Sequence, residues 1–467
     1  MSVNLAGTKF VFIMFRKTLI LTLASTAVFF EALDIAIVNL AAPIIQQALG
    51  LSVQSTQWLQ TLYLIPYGGF LILGGKLADS YGRKRMFLWG AAIFLFTSLG
   101  AGCATTFTTL IVFRMIQGIG AAFIMPSALS IISFTFREPS ERGRAMGIFS
   151  AFAAIGSGFG MSVGGMVATW AGWQWVFFIN VPVIASTLWL GYRFIEPDSK
   201  NETQRTPDVL SASLLTGAIL LLSYLIHALP TFIAHPMWLA GVVMLLAAAS
   251  YGFIRRSLAS QNPLLPFDIL LNRSTALAVG VFALLGAFFN SYLFIISLVL
   301  QNTLHYSAAH AGMVLFPFGI LSMVVSKYGL GFLLNKLSLH HIGILGMMSM
   351  VVGAVALFIF FRWNGAFPFL LLAMLCISGI GMAICIPSLM VMTVQEVAEG
   401  NHGVASSLGT TAYFLGGGVG LSLLGLVGPS ETGAMPVNFI LITVWGAYAL
   451  IGLIWMLARL SARTVAV

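Results

Sequence analysis

Two carboxylates and one guanidinium are written into stretches that are otherwise apolar. Glu31 and Asp34 lie in a run that begins just after Lys17, and Arg114 lies in another that begins near Thr108. A charged side chain in hydrocarbon costs at least about 2.5–3.5 kcal/mol on insertion scales, so such a residue is first read as functional. At the rise of a helix, Asp34 stands about 25 Å beyond Lys17, and Arg114 about 9 Å into its own run from the opposite side. The two groups therefore share a depth. Spacing of i, i+3 also puts Glu31 and Asp34 on neighbouring faces of one helix. The chemistry this suggests is proton exchange at Asp34, with Arg114 setting the affinity. The alternative is a permanent ion pair that only fixes helix register. Glu31 is open between a second proton site, a contact for a cation and a residue facing a cavity.

Other chemistries find no constellation. The polar loop Gly75–Arg85 is not a phosphate cradle: Phe70 and Leu77 occupy positions where G-x-x-x-x-G-K-[ST] demands a glycine and a hydroxyl. Cys103, Cys376 and Cys385 lie in apolar runs without disulfide or zinc spacing, and read as small buried hydrophobes. The histidines are scattered, so no metal is expected. No nucleophile and base fall in register near one face, which argues against an enzyme.

The elements that must position these charges follow from composition. Of 467 residues, 59% are hydrophobic and 7% charged, and the mean hydropathy is +0.99. No soluble core hides that much apolar surface, so the solvent is a bilayer. Fourteen runs reach the ~20 residues a spanning helix needs, from 18–38 to 436–458. The first lacks a short apolar core followed by a cleavage site, and is expected to be a retained span. Loops on the far side, such as 39–57, carry almost no charge. The net charge of +9 is one-sided: with the N-terminus in the cytoplasm, every Lys and Arg except Arg114, Lys327 and Arg362 falls in a cytoplasmic segment. That asymmetry places both termini in the cytoplasm and speaks of topology, not nucleic acid. Lys327 is expected to snorkel to the interface.

Glu196–Asp208 reads as a polar linker that ends six spans; two more follow at 209–254, then six more. The chain divides into 1–195, 196–273 and 274–467. Gly331, Leu333 and Asn335 echo Gly75, Leu77 and Asp79, and a glycine-rich stretch around Gly156–Gly165 has a counterpart at Gly416–Gly420. Duplicated membrane halves imply rocking about a midplane site.

Four motifs carry a resemblance. Gly75, Leu77, Ala78, Asp79, Gly82 and Arg83 match the loop signature G-x-L-A-D-x-x-G-R. Arg114, Gln117, Gly118 and Gly120 match R-x-x-Q-G-x-G, while Leu33–Pro43 and Trp173–Pro182 resemble two further signatures. In these the sequence resembles the major facilitator superfamily, and within it the fourteen-span drug:proton antiporters. Two positions depart: Met161 stands where the antiporter motif has proline, and Gln174 where another has arginine.

The resemblance implies an all-α integral membrane protein of fourteen helices (6 + 2 + 6), with two pseudo-symmetric bundles, in the bacterial cytoplasmic membrane. It implies a monomer that needs no cofactor and exports cationic or neutral amphipathic small molecules in exchange for protons. Uptake or export of one dedicated metabolite on the same fold is the alternative; a sensor would need a soluble output domain. By resemblance Gly75, Asp79, Gly82 and Arg83 form a cytoplasmic latch, against the reading of a pure topology signal. Gly156, Gly160, Gly164 and Gly165 have small-xxx-small spacing, which serves either tight packing or antiport. Tyr63, Tyr67, Gln117, Met125, Asn290, Tyr292, Phe294 and Phe316 are candidate cavity residues, in a chain rich in Phe and Met.

Overall fold

Backbone in hydrocarbon must bond to itself, and a run of about 20 apolar residues does so as a helix. The computed structural model describes residues 5–198, 208–229, 235–260, 263–265, 267–334, 336–363, 365–397, 402–427 and 439–465, and every regular element among them is helical. Most of the linker (199–207) and Asn335 lie outside the described residues. In the first part of the chain run α1 (Leu5–Leu49), α2 (Val53–Tyr81), α3 (Arg83–Gly102), α4 (Phe107–Thr135), α5 (Pro139–Trp170) and α6 (Trp175–Phe194). Next come α7 (Val209–His227) and α8 (Pro236–Ala259). The last part holds α9 (Arg273–Thr303), α10 (Ala308–Leu333), α11 (Leu339–Arg362), α12 (Phe367–Val394), α13 (His402–Val427) and α14 (Phe439–Val465).

Among the described residues, 13 of these helices are long and apolar enough to cross a membrane; α14 contributes a shorter apolar stretch, Trp445–Ala458. The fourteenth run read from sequence begins outside the described residues. One loop is corrected. The stretch 39–57, read as a connection, is mostly helix: α1 continues through Pro43 to Leu49 and α2 starts at Val53. No turn-forming pair precedes Gly50, whose φ of +61° ends α1. Ser52 then caps α2 by accepting from the Ser55 amide at 3.0 Å.

Helices α1 and α5, α2 and α4, and α3 and α4 pack together; α9 and α13, and α11 and α14, do the same in the last part. Two seams join the parts, α5 against α10 and α2 against α13. The charged ends of the helices (Arg16, Lys17, Arg83–Arg85, Arg137, Arg256) define a basic end of the bundle. At the uncharged end three hydrogen bonds cross these seams and a fourth joins α9 to α1. Gln301 Nε2 donates to Leu40 O at 2.9 Å, and Gln54 Nε2 to Gly425 O at 2.9 Å. Ser162 Oγ donates to Gly312 O at 2.9 Å, and the Ala309 amide to Thr169 Oγ1 at 3.1 Å. Towards the basic end α5 and α10 part. Gly165 meets Ala308 O and Gly312 meets Met161 O near the uncharged end, Gly158 touches Gly319 further along, and Gly143 and Gly147 have nothing near them, while Ile148, Ile320 and Val324 are exposed.

Helix α7 explains why the second seam is not open in the same way. It lies against both α2 and α13, and Ala212 joins Ile72, Leu73, Ala405 and Leu408 in one apolar cluster. Asp208 starts α7, accepting from the Ser211 amide at 3.1 Å and from Arg256 Nε at 2.8 Å. Burial pushes its carboxyl up, but the bonds from Ser211 and Arg256 outweigh that and hold it below the ordinary carboxylate value. Helix α8 packs chiefly on α7.

Candidate functional site

Four helices of the first part bring their polar side chains to one buried point. Asp34 comes from α1, Arg114 and Gln117 from α4, Asn180 from α6 and Ser98 from α3, all fully buried. Arg114 Nη1 donates to Asp34 Oδ2 and to Gln117 Oε1, the latter at 2.7 Å. Its Nε donates to Leu59 O at 3.2 Å and its Nη2 to Gln60 Oε1 at 3.5 Å. Asp34 Oδ1 accepts from Asn180 Nδ2 at 3.0 Å and from Gln117 Nε2 at 3.4 Å. Gln117 also donates to Ser98 Oγ at 2.9 Å. The Tyr63 ring covers the guanidinium, 4.3 Å from its carbon. Every face of Asp34 and Arg114 thus meets a polar or aromatic partner, which is what a charge pair away from water requires.

Close helix approach makes the cluster possible. A Cβ on Gly118 would sit 2.3 Å from Tyr63 O, so α4 reaches α2 only because that position is glycine. Gly156, Gly160 and Gly164 do the same for α5 on α1: their missing side chains leave room for Phe29 O, for Leu33 O and Ala36, and for Ile37. Those contacts bracket Glu31 and Asp34. Gly165 faces the other part of the chain, at Ala308 O. Met161, buried at the expected proline position, turns its backbone towards Gly312, and α5 has no interior proline.

Glu31 stands outside this saturation, and within the cluster Asn180 Oδ1 also has no hydrogen-bond partner among the described residues. Glu31 is 3% exposed, yet among the described residues its Oε2 has no hydrogen-bond partner, and neither does the Tyr63 hydroxyl. It lies one turn from Asp34 towards the basic end. Next to it in sequence, Phe29 meets Phe30 at 5.2 Å and, across on α5, Phe152 at 6.4 Å.

The candidate cavity residues divide. Tyr63, Tyr67, Gln117 and Met125 form one patch, with the Tyr67 hydroxyl donating to Met125 Sδ at 3.1 Å and its ring stacked 4.0 Å from Phe414 across the seam. Asn290 meets Gly417, which also packs on Leu64, so it approaches the same patch from α9. Tyr292 instead turns into the last part of the chain, beside Trp445 at 6.1 Å and accepting from Ser378 Oγ at 3.1 Å. Phe294 is buried in that same part, and Phe316 meets Phe159 at 5.3 Å on the α5–α10 seam. The stretch Gly75–Arg85, read as a loop, is helix except at Gly82, whose φ of +99° joins α2 to α3. Arg83 Nε lies 3.7 Å from Asp198 Oδ1, a contact within the first part of the chain, and Asp79 lies in the field of both. Lys76 Nζ donates to Pro263 O, in the segment after α8.

Sequence reading did not single out Asn180, Ser98 or Gln60 as site residues. Asn180 stood in a quoted motif, and Gln60 lies one turn from Tyr63; Ser98 gave no signal beyond a hydroxyl in an apolar run.

Comparison with known proteins gives this geometry a context. The Uncharacterized MFS-type transporter EfpA of Mycobacterium tuberculosis is 30% identical over 418 residues, covering 86% of this chain and 75% of its own. The Puromycin resistance protein pur8 of Streptomyces alboniger is 30% identical over 412 residues, covering 86% and 80%. Among solved structures, a mutant of the peptide transporter POT has the same fold, with a TM-score of 0.68 over 94% of each chain at 16% identity. The Major Facilitator Superfamily profile matches residues 24–421. The chain therefore belongs to the Major Facilitator Superfamily and is a multi-pass cell-membrane transporter rather than an enzyme.

Proposed function

We propose that this transporter is a fourteen-span drug:proton antiporter that exports amphipathic small molecules, working as a monomer with no cofactor beyond the proton gradient. The observation that carries this reading is the contrast between two carboxyls one turn apart. Asp34 is held by Arg114, Gln117 and Asn180. Glu31 is equally buried, with an oxygen that meets no donor. A buried carboxyl oxygen without a donor is expensive, which marks Glu31 as the group to carry the exchanged proton, beside an Asp34 whose oxygens are all met by donors. With the basic end in the cytoplasm, the bundle is closed to the outside and parted towards the inside. Glu31 then lies on the cytoplasmic side of Asp34, where its proton can leave and a cationic or dipolar substrate can take its place. Tyr63, Tyr67, Met125 and Asn290 offer the aromatic, thioether and amide surface such a substrate needs. The names of relatives, which include resistance to puromycin and export of tetracenomycin C, support small organic compounds as cargo.

The driving force is adequate. A membrane potential supplies about 2.3 kcal/mol per charge per 100 mV, and each pH unit adds about 1.36 kcal/mol. One proton entering thus sustains a gradient of a neutral substrate on the order of several hundredfold, while for a monocation exchanged one for one only the pH difference counts.

Glu31→Gln tests the assignment directly. The amide mimics the protonated acid, so the variant is expected to bind cargo such as puromycin with an affinity that no longer changes between pH 6 and 8, and to lose net antiport. Binding measured by tryptophan fluorescence or scintillation proximity across that range reads the outcome. A pH profile identical to that of the parent protein would take Glu31 out of the proton path.

A further inference from the structure

At the basic end, well away from Asp34, a cavity of about 310 Å3 opens between the ends of α1, α3 and α4 and the segment after α6. Five cations line it: Arg16, Lys17, Arg83, Lys84 and Arg137. Only two carboxylates do, Glu196 and Asp198. We propose that this cavity binds a phosphate group at the membrane surface.

The balance of charge is the first argument. Arg16 is matched by Glu196, and Arg83 loosely by Asp198 at 3.7 Å. Lys17 pairs at 2.7 Å with Glu141, which does not line the cavity. Lys84 Nζ donates to a neutral carbonyl, Tyr192 O at 2.7 Å, and Arg137 stacks 5.0 Å from the centre of the Phe134 ring. Neither side chain has a carboxylate partner among the described residues, although the Lys84 backbone amide donates to Asp198 Oδ2 at 3.3 Å. Positive charge is thus left over in a concave site, and two faces of that site, Lys84 and Arg137, can turn donors to an anion.

The second argument is shape and chemistry. Three guanidinium forks and two ammonium groups around one hollow suit a tetrahedral oxyanion, which accepts several donors from different directions. The interior wall is apolar, with Ile20, Ile131 and Ile195. A cationic rim over an apolar floor fits a phosphodiester attached to glycerol and acyl chains, and the cytoplasmic leaflet carries such anionic headgroups. The volume has room for one headgroup and not for a nucleic acid strand. A phosphate seated there would bridge α1, α3, α4 and the segment after α6, stiffening one end of the first part of the chain around Arg83.

Thermal unfolding of the full-length protein in neutral detergent tests this, with phosphatidylglycerol, phosphatidylcholine and inorganic phosphate as separate probes. Phosphatidylglycerol is expected to raise Tm, and phosphatidylcholine is not. In the double variant Lys84→Gln, Arg137→Gln, Tm without added lipid is expected to stay unchanged, because both side chains reach the surface. The half-saturating lipid concentration should rise roughly tenfold, as expected for two exposed charge contacts together. A shift given by inorganic phosphate, and lost in the same variant, would assign the site to a free phosphate; a shift given only by lipid assigns it to a headgroup. Equal stabilisation by phosphatidylcholine, or a variant that responds to phosphatidylglycerol and phosphate as the parent does, would overturn the proposal.

Discussion

Asp34→Asn is expected to abolish substrate-driven proton release while the protein still inserts. The amide has the size of the carboxylate but cannot hold the negative charge that Arg114, Gln117 and Asn180 converge on. One of its two polar atoms becomes a donor facing donors. Breaking a buried pair by removing one partner costs about 3–5 kcal/mol, so stability falls too, and expression and monodispersity must be measured beside transport. Those controls separate the two roles the pair could have. If it served only to fix helix register, the surviving folded molecules would still release protons for each substrate moved. If it sets the proton affinity of the site, folded molecules would bind substrate yet release none. Inverted vesicles with a pH-sensitive dye, normalised to the amount of folded protein, distinguish these outcomes. Full coupled transport by the variant at normal expression would remove Asp34 from the mechanism.

Gly165→Val is expected to hold the uncharged end open and stop turnover. A Cβ at that position would lie 2.0 Å from Ala308 O and 2.6 Å from Ala308 C, across the α5–α10 seam. Backbone of the opposing helix cannot yield as a side chain could. The cost falls on the closed arrangement, in which the Ala309 amide meets Thr169 and Ser162 meets Gly312 O, and not on an arrangement with the seam parted. Overpacking of this kind costs about 1–3 kcal/mol, enough to shift a two-state balance by roughly five- to a hundredfold. In a background without the native cysteines, Ala309→Cys reports the change, because Ala309 is 5% exposed in the closed seam. A membrane-impermeant maleimide should label it faster in the Gly165→Val protein, and transport should fall in parallel. Unchanged labelling with unchanged transport would mean that the seam does not have to close here.

Much of the site could be read from the chain because hydrocarbon leaves charges few options. Counting the helix rise from Lys17 and from Thr108 put Asp34 and Arg114 at one depth, and the structure brings them into contact. The glycines of α5 were legible as a packing face, but not which helix they would meet; they receive Phe29, Leu33 and Ile37 of α1. Asn180 escaped selection because an amide in an apolar run is ordinary until a distant carboxylate is found beside it. The difference between Glu31 and Asp34 was likewise out of reach, since spacing makes them neighbours and only the surrounding helices give donors to one and none to an oxygen of the other. Where Tyr292 turns was out of reach for a related reason: its position on α9 does not say which face meets Trp445. The stretch 39–57 was read as a loop because spans were sized to an average membrane, and α1 runs on beyond that thickness. Helix α7 was visible as an apolar run, yet hydropathy carries no information about its place against α2 and α13.

Proton exchange for cargo is the claim on which the rest depends, and flux in reconstituted vesicles measures it most directly. Proteoliposomes with an acidic interior and the purified protein should accumulate substrate against its gradient while internal pH rises, and a protonophore should end both. Accumulation at the same rate and to the same level with the pH gradient and membrane potential collapsed would contradict the account.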